Sequence, residues 1–148
     1  MKKLFILSAL VTMMTSLSAQ CYKIDTVTSI ATVTEIGGRP IIFGAQTTLE
    51  EIASSRYQLC NEGSPISGTI KSIAMPEQLV NIVGLQFLKR EYIVSTEINV
   101  NGILLQGEAS KVIYVNAMFV SVESIPHNRK AYSKALEKSF KNGFESLK

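Results

Sequence analysis

This 148-residue sequence predicts an α+β fold, an antiparallel sheet of four or five strands packed with two helices in the approximate order ββαβββα. Three observations carry that expectation. Residues 91–100 alternate apolar and polar side chains and run into Asn101-Gly102, the favoured pair for a type I′ hairpin. Residues 26–36 are dense in Thr, Val and Ile, whose branched side chains suit a pleated surface. The C-terminal segment repeats apolar residues at three-four spacing, the period of a helix with one buried face.

In chain order, residues 26–36 form the first strand, and Gly37-Gly38 supplies positive φ angles for a tight turn. The return over residues 39–44 contains Pro40, which cannot donate a ladder hydrogen bond, so this strand is short or lies at an edge. A helix begins near Thr47 or Thr48. Thr48 and Glu51 have capping-box spacing, and Leu49, Ile52, Ala53, Arg56 and Tyr57 share a face. Residues 60–65 stop it, and residues 66–75 form the next strand. Pro76 opens either a short helical turn reaching Val83 and ended by Gly84, or a loop.

In the strand over residues 91–100, Tyr92, Val94, Thr96, Ile98 and Val100 face one way. A two-residue turn at Asn101-Gly102 sets Val100 opposite Ile103, Ile98 opposite Leu105 and Val94 opposite Ala109. The inner face then continues through Ile113, Val115, Ala117 and Phe119. The other face is polar near the turn, at Ser95, Glu97 and Glu108, and apolar farther along, at Val112, Tyr114, Met118 and Val120. A two-layer domain covers only one face, so that patch is either core beneath the first helix or first hairpin, or a subunit or partner interface. The final helix places Tyr132, Ala135, Leu136, Ser139, Phe140, Gly143, Phe144 and Leu147 on its buried side, with Pro126 near its start.

Residues 1–19 read as a secretory signal peptide: Lys2 and Lys3, an apolar run too short to span a bilayer, then a small, polar stretch ending at Ala19. A retained N-terminal anchor is the competing expectation. Residues 20–148 then make one exported domain, periplasmic or secreted. A lipid-modified Cys21 would want a small residue directly before it, where Gln20 stands. The better expectation is a Cys21–Cys60 disulfide, because two cysteines in an oxidising compartment are usually bonded. Two free, buried thiols are the alternative.

The chemical inventory argues against catalysis. His127 is the single imidazole and Asp25 the single aspartate, so a hydrolytic triad would depend on one histidine beside Pro126. No Gly-x-Ser-x-Gly elbow surrounds any serine. One His and two distant Cys lack metal-ligand spacing, the acids make no calcium loop, and Gly37-Gly38 lacks a nucleotide-loop lysine. No catalytic residue, metal or cofactor is expected.

Charge is uneven along the chain. From His127 to the end there are six basic and two acidic residues, net +4, while residues 20–126 carry seven basic and ten acidic, net −3. The exported part sums to +1, which excludes nucleic acid as an expected partner. Lys138 and Lys141 suit the negative end of the helix dipole, but Arg129 and Lys130 sit at its positive end. Arg129, Lys130 and Lys134 are therefore expected either to dock an acidic partner or an anionic membrane surface, or to form a solvated outer helix face. The leading expectation is a non-catalytic exported protein that binds another envelope protein or self-associates. The alternative is a carrier of a small apolar ligand, held between sheet and helix by residues such as Val94, Ile98, Ile113 and Phe144.

Overall fold

A computed structural model describes residues 20–119 and 124–147. In chain order the elements are β1 (Tyr22–Ser29), the short ribbon of β2 (Glu35–Ile36) and β3 (Arg39–Pro40), α1 (Ala45–Ser54), β4 (Ser64–Ala74), β5 (Glu77–Ile82), β6 (Leu85–Val100), β7 (Ile103–Asn116) and, after a 3-10 turn at Ala117–Phe119, α2 (Ser124–Glu145). The chain is an α+β protein with a five-stranded, mostly antiparallel sheet and two helices.

The sheet is organised around β6, which pairs along one side with β7 over residues 87–100. Its other side is shared: residues 93–100 pair with β4 and residues 85–90 with β5. Asn101 and Gly102 have φ of 52° and 87°, the left-handed pair that a type I′ turn needs, and Val100 faces Ile103 as the turn chemistry requires. Tyr92, Val94, Thr96, Ile98 and Val100 are all buried, on the face that receives the helices.

Close packing at one point seats α2. A Cβ on Gly107 would overlap the Ser139 carbonyl oxygen and the Gly143 backbone nitrogen, so β7 and α2 meet backbone to backbone there. The neighbouring polar groups answer one another. Ser139 Oγ donates to the Gly107 carbonyl at 2.9 Å and lies 2.8 Å from Thr96 Oγ1, all buried. Phe140 and Phe144 fill the space on either side, against Ile66, Ile70, Val94 and Ile98 in one core.

Several local expectations are corrected. The first strand ends at Ser29, and the chain pairs again only at Glu35–Ile36. β1 lies parallel to β4, because α1 and the β2–β3 ribbon form the crossover between them. The first helix starts earlier, at Ala45, and has no side-chain cap; Thr48 Oγ1 donates back to the Gly44 carbonyl at 3.0 Å, so no Thr48–Glu51 capping box forms. Arg56 and Tyr57 lie beyond its end. The segment after Pro76 is strand β5, in place of a helical turn or loop. The pairing Ala74–Ile93 continues without a slip to Glu77–Arg90, so β4 and β5 act as one long strand along β6. At the C-terminus Leu147 is exposed.

The Cys21 and Cys60 sulfurs are bonded, with Cα atoms 5.8 Å apart. Tyr22 shows why they meet. Its N–H donates to the Gln58 carbonyl and its carbonyl accepts from Cys60 N–H, which holds the chain leaving α1 against the start of β1.

Two stability predictions follow from this packing. Replacing Gly102 by Val is expected to lower stability by about 1 kcal/mol or more, since a β-branched residue resists positive φ; a urea titration should show a lower midpoint with unchanged slope. Replacing Gly107 by Ala should cost more, about 1–3 kcal/mol as overpacking against a helix backbone that cannot yield locally. Reduction of the disulfide is a third test. It opens a loop of 39 residues and is expected to remove about 4 kcal/mol in the chain-entropy model, read as a lower denaturation midpoint in dithiothreitol.

Candidate functional site

α1 and α2 pack on the same side of the sheet, and the face with Val112 and Tyr114 is left open. Its composition changes along the strands. Near the Asn101-Gly102 turn it carries Ser95, Glu97, Asn99, Gln106 and Glu108, with Leu104 exposed beside Asn99; Ser95 Oγ donates to Glu108 at 2.7 Å and Lys71 pairs with Glu97 at 3.8 Å. Toward the opposite end it carries Ile93, Val112, Tyr114, Phe87, Val80, Leu85 and Ile82, with Glu91 beside Val112 and Lys89 between Tyr114 and Gln78. Of the sequence-predicted patch, Tyr114 is 55% exposed, Met118 83% exposed and Val112 half-buried, while Val120 lies outside the described residues. The core reading of this patch is therefore corrected: neither α1 nor the β2–β3 ribbon covers it.

The patch continues onto an arm that sequence reasoning missed. β5 and the first half of β6 make a hairpin whose paired residues run from Glu77–Arg90 to Ile82–Leu85. β7 flanks it only as far as Phe87, so the tip is a two-stranded ribbon. Both faces of the arm carry apolar side chains: Val80, Ile82, Leu85 and Phe87 on the open face, Leu79 and Leu88 on the other. Leu79 is 64% exposed, and Ile82 and Leu85 are also exposed.

The apex is Val83-Gly84. Val83 has φ 50° and is 96% exposed. A β-branched residue in the left-handed region is a conformational outlier, costing about 1–2 kcal/mol. A bare apolar side chain at that position also gains nothing from burial. Both terms oppose stability.

The base of the arm is rigid. Arg90 points to the helix face, where Nε donates to Glu77 Oε1 and Nη1 donates to Asn128 Oδ1 at 3.0 Å, joining β6 to β5 and to α2. Burial works against the charged guanidinium, yet the Tyr92 hydroxyl and the Glu77 carboxylate outweigh it, and the Arg90 pKa is raised. Burial also raises the Tyr92 phenol, which stays protonated beneath the helix.

The basic residues of α2 are not equivalent. Lys130 and Lys134 are exposed. Arg129 is half-buried, and its Nε and Nη2 both donate to the Gly37 carbonyl, with Nε at 2.9 Å. This bond anchors α2 to the β2–β3 turn and gives a structural reason for a cation near the positive end of the helix. The three residues thus do not present one uniform charged surface.

The carrier residues Val94, Ile98 and Phe144 are packed into the core, with Ile113 against it, while the clefts found at the described residues lie at the surface on other side chains. His127 is exposed on α2. Among the described residues no three of His, Cys, Asp and Glu converge on a metal position, and no helix is long and apolar enough to cross a membrane.

No family model and no curated protein matches this chain. Among solved structures it is similar to a minor lipoprotein from Acinetobacter baumannii, with a TM-score of 0.48 and 10% identity over 88% of this chain and 94% of that one. It is also similar to a candidate lipoprotein from Caulobacter crescentus CB15, with a TM-score of 0.32 and 13% identity over 82% of this chain and 83% of that one.

Proposed function

We propose that this chain is a non-catalytic, exported binding module that docks on another envelope protein, or on a second copy of itself, through the apolar arm. The observation that carries the proposal is Val83, held in an unfavourable backbone conformation with its side chain 96% exposed. The exposed apolar side chains of the arm, with Tyr114 and Met118 exposed beyond it, support it, since exposed apolar patches mark contact surfaces. Export is supported by the sequence of residues 1–19 together with the Cys21–Cys60 bond, which suits an oxidising compartment. The packing of Val94, Ile98 and Phe144 into one core cluster supports binding by surface over carriage of an enclosed ligand.

Asn tolerates the left-handed conformation, so Val83→Asn should keep the fold and raise stability by up to about 1 kcal/mol. The double variant Val83→Asn, Leu85→Ser, tagged and recovered from envelope extract, is expected to retain its partner several-fold less well than wild type. Sedimentation velocity on the purified proteins reads the self-association branch. Equal partner retention together with equal sedimentation in wild type and variant would eliminate the arm as the docking element.

A further inference from the structure

A second surface, independent of the arm, has the chemistry of an anion site. The exported part of the chain has four arginines. Two are answered by carboxylates, Arg56 by Glu145 and Arg90 by Glu77. The other two, Arg39 and Arg129, line one cleft of about 160 Å³ between the β2–β3 ribbon, the segment leading into α1, and α2. No acidic side chain lines this cleft, and among the described residues neither arginine has a carboxylate within ion-pair distance. We infer that this cleft binds a phosphate group, held between the Arg39 and Arg129 guanidinium groups.

Both arginines are positioned with donors to spare. Arg129 spends Nε and one Nη2 proton on the Gly37 carbonyl, which fixes the plane of its guanidinium and leaves the Nη1 protons and the second Nη2 proton. Arg39 lies over the Phe43 ring, 4.5 Å from its centroid, a contact that restrains the group without using an N–H. A planar fork of donors matches phosphate oxygens in pairs, and two such forks on one cleft exceed what a single surface cation offers. The floor is also stiff. Tyr132, whose phenol burial raises far above its ordinary value, stays protonated and donates to the Ile41 carbonyl at 2.8 Å, tying α2 to the segment between β3 and α1.

The remaining walls indicate what could be attached to the phosphate. Phe43 and Leu136 line the cleft, and Ile42 and Phe43 are exposed beside it. A phosphodiester with an apolar portion can place its charge between the arginines and its apolar part along Phe43. A phospholipid headgroup and a free phosphate ester share this chemistry, and the two sources are separated by experiment.

The test uses the purified, disulfide-bonded protein. Inorganic phosphate is titrated calorimetrically at constant ionic strength against chloride, and flotation is measured with phosphatidylglycerol vesicles against phosphatidylcholine vesicles. Saturable binding is expected to at least one phosphate probe. Arg39→Gln should weaken it tenfold or more, and Ser133→Glu, which sets a carboxylate on the exposed rim of the cleft, should abolish it. Lys138→Gln, which removes the same charge elsewhere on α2, should leave it unchanged. Binding to inorganic phosphate supports the site with a soluble ester as its ligand, and binding only to phosphatidylglycerol vesicles supports it with a lipid headgroup. Absence of saturable binding to every probe, or an equal loss in Arg39→Gln and Lys138→Gln, overturns the inference.

Discussion

The approach of α2 to β7 at Gly143 and Gly107 is the constraint on which the rest of the structure depends. No side chain separates the two backbones there, so the helix sits low on the sheet and Phe140 and Phe144 reach the strands beneath. Backbone contact brings polar groups into a dry interface, where an unanswered donor or acceptor is costly. Thr96, Ser139 and the Gly107 carbonyl satisfy one another at that point. A larger residue at Gly107 would lift α2 and open the layer that also receives Tyr132 and Leu136. Seating α2 so firmly on one face has a consequence for the other: with both helices committed to the same side, no described element covers the opposite face.

The N-terminal part of the domain is held by a different means. β1 is an edge strand joined to the sheet only through β4, in a parallel pairing that requires a long crossover. The regular elements of that crossover are a short ribbon and a ten-residue helix, which send Ile36, Leu49 and Ile52 into the core. The Cys21–Cys60 bond and the two Tyr22 hydrogen bonds close the crossover on itself. Arg129 and Tyr132 hold its other end by bonding the Gly37 and Ile41 carbonyls. The crossover is thus tied at one end to the sheet start and at the other to α2, and the anion cleft lies at the second of these ties.

The open face divides by chemistry. Around the Asn101-Gly102 turn, hydroxyl, amide and carboxylate groups predominate, with Leu104 the exposed apolar exception. Around the Val83-Gly84 turn, apolar side chains stand on both faces of a thin ribbon. The two hairpin turns have the same left-handed geometry, yet one uses Asn, which tolerates it, and the other uses Val, which does not. That contrast stands at the two ends of β6: one turn has the residue its geometry favours, and the other does not.

Local chemistry alone determined a good part of this protein. Asn101-Gly102 specified the β6–β7 register from the sequence, because a two-residue turn leaves only one alignment of the strands it joins. The three-four spacing after Pro126 specified the buried face of α2, with Leu147 as its exposed exception. Cys21 and Cys60 were readable as a pair because few cysteines left few alternatives. The apolar side of β7 at Val112 and Tyr114 was also readable, but whether anything covers it was not, since that depends on where α1 comes to rest. β5 was illegible for a related reason. Pro76 suits a helix start and Val-Gly is a poor hairpin signal, so nothing within residues 76–84 announces a strand; the uninterrupted register from β4 along β6 imposes it. The parallel placement of β1, the backbone contact of Gly107 with Gly143, and the meeting of Arg39 with Arg129 across 90 residues of chain were likewise decided only by tertiary structure. Sequence periodicity tells which side of an element is apolar, but which element comes to lie against it is settled by the packing of the whole chain.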